Sequence, residues 1–306
     1  YPIGKEIAIL SDYQIQTQEN MMTERTKVNL PDLFNKAARG EPLTWLTCYD
    51  YPTAYLQDQA GVDMILVGDS LGMTMLGYDS TLPVTMNDMI RHTQAVRRGA
   101  PNAFLFGDMP YMSYQASSED AVRNAGRFMA EAACDAVKLE GGREMADRVR
   151  SIAAAGIPVS GHLGLTPQSV SALGGFRLQG KGAAAARRII EDAKILEEAG
   201  AFCILLELVP DRVCKIITER SEDCLIMSLG GGPDAHGQLL IYHDMFGLYP
   251  KFKPKMAKVF GNAGEVILNG LQQYVKEVGD GTFPGKENYF GIKDEEYDEL
   301  IRDLGE

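Results

Sequence analysis

The sequence predicts an α/β protein, a (β/α)8 TIM barrel with an N-terminal extension and extra C-terminal helices. Three observations carry this. Eight short apolar runs recur along the chain, helical segments separate most of them, and the runs tend to end in an acidic or otherwise polar residue. A chain of 306 residues is also a normal size for one such barrel.

Residues 1–26 show no clear apolar period and are rich in Gln, Glu and Thr, so they read as an extension ahead of a single catalytic domain over 27–306. Asn29 to Arg39 reads as a short helix. Asn29 can cap it, Pro31 falls in the first turn where its missing N–H costs little, and Gly40 follows as a stop. The apolar runs are 43–49, 63–68, 103–107, 135–139, 157–161, 201–206, 224–229 and 238–242. They are continuous rather than alternating, which marks strands covered on both faces, as in a parallel sheet wrapped by helices. Helical segments at 85–99, 117–132, 143–155, 183–199 and 210–220 lie between them. Gly61, Gly156 and Gly200 stand at helix-stop positions just before strands. No G-x-G-x-x-G follows the first strand, which weakens an open dinucleotide-binding sheet as the alternative. The last two runs have only a short connection. Residues 256–279 read as a long helix after the barrel, and 294–306 as an acidic, solvated helix.

Composition excludes several function classes. The formal charge of -12 argues against a nucleic-acid groove and against an anionic membrane surface. No stretch approaches the roughly 20 apolar residues of a membrane span. No basic segment followed by an apolar one suggests a secretory signal. The five cysteines are odd in number and lack CxxC spacing, so neither a disulfide framework nor a zinc site is indicated. Three of them lie in apolar strand-like runs and read as buried, inert thiols, and the compartment reads as a reducing cytoplasm.

In a barrel all C-terminal strand ends meet on one face, the face that carries active sites. Run two ends at Asp69, run three at Asp108, run four at Glu140, run five at His162 and run six at Glu207. Four carboxylates and a histidine, far apart in sequence, therefore converge. Like charges packed so closely need a cation, protonation or a basic neighbour. Lys138 stands two positions before Glu140, so both side chains share one strand face, and it either joins the cavity or simply neutralises Glu140. Oxygen ligands without Cys favour a hard cation, Mg²⁺ first and Mn²⁺ second. Taken singly, each acid is also readable as a helix cap or a loop ion pair, and His162 as a structural histidine. Their shared placement is what argues for a site. Glycine-rich stretches at 68–73 and 228–233 flank the set and read either as tight turns or as backbone N–H donors for an anion.

These residues sit in long motifs. They are L-T-C-Y-D-Y-P-T-A at 46–54, V-G-D-S-L-G-M at 67–73, L-G-Y-D-S-T-L-P-V-T at 76–85, G-D-M-P at 107–110 and V-K-L-E-G-G at 137–142. G-H-L-G-L-T-P-Q at 161–168, L-G-G-F at 173–176, L-E-L-V-P at 206–210 and G-T-F-P at 281–284 follow in order. From about residue 26 to about 290 the chain resembles the ketopantoate hydroxymethyltransferase family. The resemblance implies a barrel of the phosphoenolpyruvate mutase and isocitrate lyase type, assembled as a homodecamer. It implies Mg²⁺ held by Asp69 and Asp108 with Glu140 nearby, and a keto acid bound through Asp69, Ser70, Asp108, Lys138 and His162. Glu207 matches the general base. The implied reaction takes a hydroxymethyl group from 5,10-methylenetetrahydrofolate to 3-methyl-2-oxobutanoate, a step of pantothenate biosynthesis. The chain departs from the family after the seventh strand, where it reads M-S-L-G-G-G-P at 227–233 and Ser228 replaces a glycine; Trp45 and Cys48 also differ. The altered loop motivates one alternative, a related barrel lyase or aldolase-like enzyme acting on a different 2-keto acid.

Overall fold

The structure, a computed structural model, describes residues 25–251 and 254–305, so the expected extension at 1–26 lies outside the described residues except for Arg25 and Thr26. The chain divides into two compact units, one up to Leu239 and one from Leu240 onward. The single catalytic domain expected over 27–306 spans both.

Eight parallel strands form a closed barrel in sequence order. They are β1 Leu43–Thr47, β2 Met64–Val67, β3 Phe104–Asp108, β4 Ala136–Glu140, β5 Val159–Gly164, β6 Cys203–Glu207, β7 Leu225–Leu229 and β8 Gly237–Leu240. The helices up to β5 are α1 Leu30–Ala38, α2 Tyr51–Gln59, the single turn α3 Leu71–Thr74, α4 Met86–Gly99, α5 Ser118–Ala132 and α6 Ala146–Ala154. After β5 come α7 Val170–Leu173, α8 Ala183–Glu198, α9 Asp211–Arg220, α10 Tyr242–Met245, α11 Ala263–Asp280 and α12 Asp294–Leu304. As expected, α1 is capped by Asn29, whose side chain accepts from the Asp32 N–H while Asp32 accepts in return from Asn29.

Besides the single-turn helices α3, α7 and α10, two longer elements differ from the sequence reading. Helix α2 has no counterpart there, because its apolar residues form no one-sided stripe. Its signal is the cap, in which Asp50 Oδ1 accepts from the Thr53 N–H at 2.8 Å. The long C-terminal helix begins at Ala263 rather than 256, after Gly261 and Asn262, a pair that disfavours helix continuation.

Strand residues alternate between two packing environments. Ile65, Val67, Leu105, Val137, Leu139, Ile204, Leu206 and Ile226 face outward, in one buried cluster with Met89, Val96, Phe128, Val149 and Leu196 of the helices. The alternate residues face inward. There Trp45 packs at a tilt against Phe106 with ring centroids 4.5 Å apart, and Phe106 stacks on Phe202 at 5.8 Å. Burial on both faces is why β2 to β7 read as nearly continuous apolar runs, whereas β1 and β8 each leave one residue exposed, Thr44 and Gln238. Phe106 precedes Asp108 by two residues and shares its face, so this aromatic layer floors the polar end of the barrel.

The outer layer leaves no room at Gly107, where an added Cβ would stand 2.2 Å from the Phe128 ring. Gly107→Ala is expected to destabilise the protein by about 1–3 kcal/mol through overpacking. Gly126, in α5, has nothing within 4 Å of the place a methyl group would take, so Gly126→Ala should leave the thermal midpoint unchanged or raise it. Equal midpoints for the two variants in a thermal scan would contradict this packing.

Candidate active site

Strand register brings the acids together. Asp108 is level with Lys138 across β3 and β4, Glu140 with His162 across β4 and β5, and Gly164 with Glu207 across β5 and β6. Asp69 follows β2 by two residues and joins the group because its backbone N–H donates to Asp108 Oδ2 at 3.0 Å. Lys138 Nζ pairs with Asp108 Oδ1 at 2.7 Å, and both side chains are almost fully buried. The neutralising partner of Lys138 is thus Asp108 rather than Glu140, since a level residue on the adjacent strand is nearer than one two positions along. Lys138 Nζ also reaches His162 Nδ1 at 3.4 Å.

His162 bridges two acids, with Nδ1 3.3 Å from Glu140 Oε1 and Nε2 3.2 Å from Glu207 Oε2. Burial, and then the Lys138 charge, lower its pKa, so the ring is neutral at pH 7. A neutral ring carries one N–H. With the Lys138 ammonium 3.4 Å from Nδ1, that hydrogen belongs on Nε2, the ring nitrogen on the Glu207 side. Glu207 is the least buried of the four, its side chain 12% exposed against 2% for Glu140, so it is the acid a ligand meets first.

Buried negative charge exceeds buried positive charge here. Desolvation, then Asp108 and Glu140, push Asp69 well above the usual carboxylate range. Burial pushes Glu140 up to about 8 against the opposing effect of Lys138. Lys138 is itself raised: desolvation opposes its charge, and Asp108, Glu140 and Asp69 outweigh it. Among the described residues, no group of three or more His, Cys, Asp or Glu side chains stands arranged to hold a metal ion by itself. The expected ligands Asp69, Asp108 and Glu140 are neighbours, each with an oxygen already engaged by Gln168 or Lys138.

Ser70 Oγ lies 2.8 Å from the buried Tyr49 hydroxyl, and a Cβ on Gly68 would come within 2.8 Å of it. The first glycine-rich stretch therefore lets Ser70 fold back toward the strand end. In the second stretch the Gly231 N–H donates to Ser228 Oγ at 2.9 Å, so Ser228 closes the turn and that donor is taken internally. Gly164 has φ +93°, and a Cβ there would stand 2.1 Å from Glu207 O; this approach is what allows β6 to present Glu207 beside His162.

All seven expected residues lie at the C-terminal ends of β2 to β6 or in the turn after β2. Sequence reasoning missed four others. Tyr49 follows β1, Tyr114 and Gln115 lie in the loop after β3, and Gln168 lies in the loop after β5. Gln168 and Tyr49 sit inside the long motifs; Tyr49 is the apolar last residue of run one, and Gln168 ends no run.

Comparison with known proteins agrees over most of the chain. Residues 27–286 match the family described as Ketopantoate hydroxymethyltransferase. A 3-methyl-2-oxobutanoate hydroxymethyltransferase of Syntrophus aciditrophicus (strain SB) is 56% identical over 254 residues, 82% of this chain and 92% of that one. One from Clostridium botulinum (strain 657 / Type Ba4) is 54% identical over 262 residues, 86% of this chain and 95% of that one. Among solved structures, a phosphonopyruvate hydrolase complexed with oxalate and Mg²⁺ aligns with a TM-score of 0.56 at 13% identity, covering 89% of this chain and 96% of that one. A 2,3-dimethylmalate lyase of the PEP mutase/isocitrate lyase superfamily aligns at 0.54 and 14%, covering 90% and 92%. Those two share the fold. The family match and the close relatives carry more: the chain belongs to the ketopantoate hydroxymethyltransferase family and is an enzyme that transfers hydroxymethyl groups.

Proposed function

We propose that the enzyme transfers a hydroxymethyl group from 5,10-methylenetetrahydrofolate to 3-methyl-2-oxobutanoate through an enolate, giving 2-dehydropantoate for pantothenate and coenzyme A biosynthesis. The observation that carries the proposal is the pairing of an accessible carboxylate, Glu207, with a neutral His162 beside a cluster of buried acids and Lys138.

The buried acids fit a hard divalent cation. Asp69 and Glu140 are held protonation-prone by burial and by repulsion from neighbouring acids, Asp108 in both cases, and a cation among them would relieve both. Asp69 and Asp108 would hold Mg²⁺, with Glu140 nearby and the remaining oxygens coming from keto acid and water. When bound, the ion supplies Lewis-acid stabilisation of the negative charge that develops on the keto oxygen.

The chain's own residues do the rest. Lys138 and Ser70 hold the keto acid's negative charge. Glu207 takes the C3 proton, with the neutral His162 ring packed beside its carboxylate, Nε2 3.2 Å from Oε2. Water adds to the methylene carbon of the folate as its two carbon–nitrogen bonds break, and the two water hydrogens end on the folate nitrogens. The formaldehyde carbon so released bonds to the enolate C3, and the proton held by Glu207 goes to the new hydroxyl oxygen, so tetrahydrofolate and 2-dehydropantoate are the products.

The same reading places the enzyme in a reducing cytoplasm as a homo-oligomer, a decamer by its family. The five cysteines are free and buried, and burial raises every thiol. Within its own unit, α11 leaves Val266, Leu271, Tyr274 and Val275 exposed, as a subunit contact would require. No helix of the described residues is long and apolar enough to cross a membrane.

The test uses 3-methyl-2-oxobutanoate and Mg²⁺ in D₂O, with loss of the C3 proton followed by NMR and methylenetetrahydrofolate added afterwards. Metal-dependent exchange followed by 2-dehydropantoate is the expected result. Exchange without product would favour the alternative, a related barrel enzyme with another acceptor or one-carbon donor, for which the loop closed by Ser228 is the motivating feature. No exchange would sink the enolate reading.

A further inference from the structure

The acids of the site are not held by their strands alone. Gln168, buried in the loop after β5, reaches both Asp69 and Glu140. Its Nε2 donates to Asp69 Oδ2 at 2.9 Å and to Met109 O at 3.0 Å. Its backbone N–H donates to Glu140 Oε2 at 2.9 Å. Its Oε1 accepts from the Tyr114 hydroxyl at 2.7 Å and from Gln115 Nε2 at 2.9 Å.

An amide has two donor hydrogens and an oxygen with two lone pairs, and here all four are used. Two donors converge on Oε1, so the amide cannot flip without setting its own N–H groups against the Tyr114 and Gln115 donors. Tyr114 is in turn anchored, because its hydroxyl accepts the Glu140 N–H at 3.1 Å. One Nε2 hydrogen is therefore held toward Met109 O and the other toward Asp69 Oδ2. A donor at that oxygen favours the ionised carboxyl and opposes the burial that disfavours it.

We propose that Gln168 is a positioning residue for the cation and keto acid, acting through Asp69 and Glu140, with Tyr114 and Gln115 fixing its amide. One oxygen of each acid is tied to Gln168, which turns the other toward the ligands. The inference rests on the reading of Asp69 and Glu140 as cation neighbours, and the test separates the two.

Metal-free wild-type protein, Gln168→Leu, Tyr114→Phe and the double variant are titrated with Mg²⁺ alone by calorimetry, with circular dichroism to establish folding. Partners that orient metal ligands typically contribute about 10- to 100-fold to metal affinity. Gln168→Leu is expected to weaken Mg²⁺ binding by about that factor and to raise KM for the keto acid more than it lowers kcat. Tyr114→Phe leaves the amide in place but frees it to turn, and should show a smaller loss. In the Gln168→Leu background Tyr114→Phe should cost less than it does alone, because part of its effect passes through the amide and only the rest through the Glu140 N–H. Unaltered Mg²⁺ affinity in folded Gln168→Leu would overturn the proposal, as would full additivity of the two losses. Should Gln168→Leu fail to fold, Tyr114→Phe alone decides, with unchanged affinity counting against it. Absence of Mg²⁺ binding by the wild-type protein would instead remove the underlying assignment of the acids.

Discussion

Glu207→Gln is expected to lower the rate of C3 proton exchange by about 10²–10⁴-fold, the usual contribution of a positioned general base. The change keeps the shape of the side chain and an oxygen that can still accept from His162 Nε2, which stands 3.2 Å from Glu207 Oε2. What it removes is the ability to take a proton. Because the buried acids around Lys138 are untouched, Mg²⁺ affinity and KM should stay near the wild-type values while kcat falls. The comparison is NMR exchange in D₂O for both proteins at saturating keto acid. An exchange rate equal to that of the wild type would exclude Glu207 as the base.

Lys138→Met should be as damaging, and by a different route. Lys138 is the one Lys or Arg among the buried residues described, and its Nζ lies 2.7 Å from Asp108 Oδ1. Removing one member of a buried pair typically costs about 3–5 kcal/mol, because the remaining charge is left without compensation. Loss of turnover of about a thousandfold is expected where that charge also holds the substrate, since each 1.36 kcal/mol is tenfold in rate. The pH dependence gives a second readout. Glu140 is raised from 4.5 to about 8, and Asp69 is raised as well, with Asp108, Lys138 and His162 facing them. Between the ordinary carboxylate range and that raised value the folded, metal-free protein holds more protons than the unfolded one. These groups' contribution is therefore complete at low pH, and stability is lost as pH rises toward 8. Lys138 lowers both acids, so its removal pushes them further up and moves the window to higher pH. The pH dependence of the thermal midpoint of the metal-free protein should therefore shift in the alkaline direction. A Lys138→Met enzyme with normal turnover and an unmoved profile would sink this account.

Much of the site was legible in the sequence because a parallel barrel obeys one simple rule. Inward residues at strand C-termini share a face, so the polar residues that end apolar runs two to six gather without any knowledge of contacts. Lys138 was legible through the two-residue period of its strand. Its partner was not, because register between β3 and β4 is set by packing of the whole barrel rather than by local spacing. Tyr114, Gln115 and Gln168 lie on loops whose path depends on tertiary contacts, and no periodicity reaches them. Helix α2 was hidden for a related reason: its polar cap marks it, while its apolar residues do not.

The closed barrel also dictates an order of assembly. The first strand to be made is sealed only when the last arrives, with the Leu43 N–H donating to His236 O at 2.9 Å just ahead of β8. Until the ribosome has released Gly237–Leu240, β1 and β7 both present open edges to whatever lies nearby. A chain stopped short of that point would carry its acids in place on β2 to β6 and yet be a template for self-association. Shielding of the nascent chain, and yield on overexpression, should therefore turn on this short last strand more than on the strands that carry the chemistry.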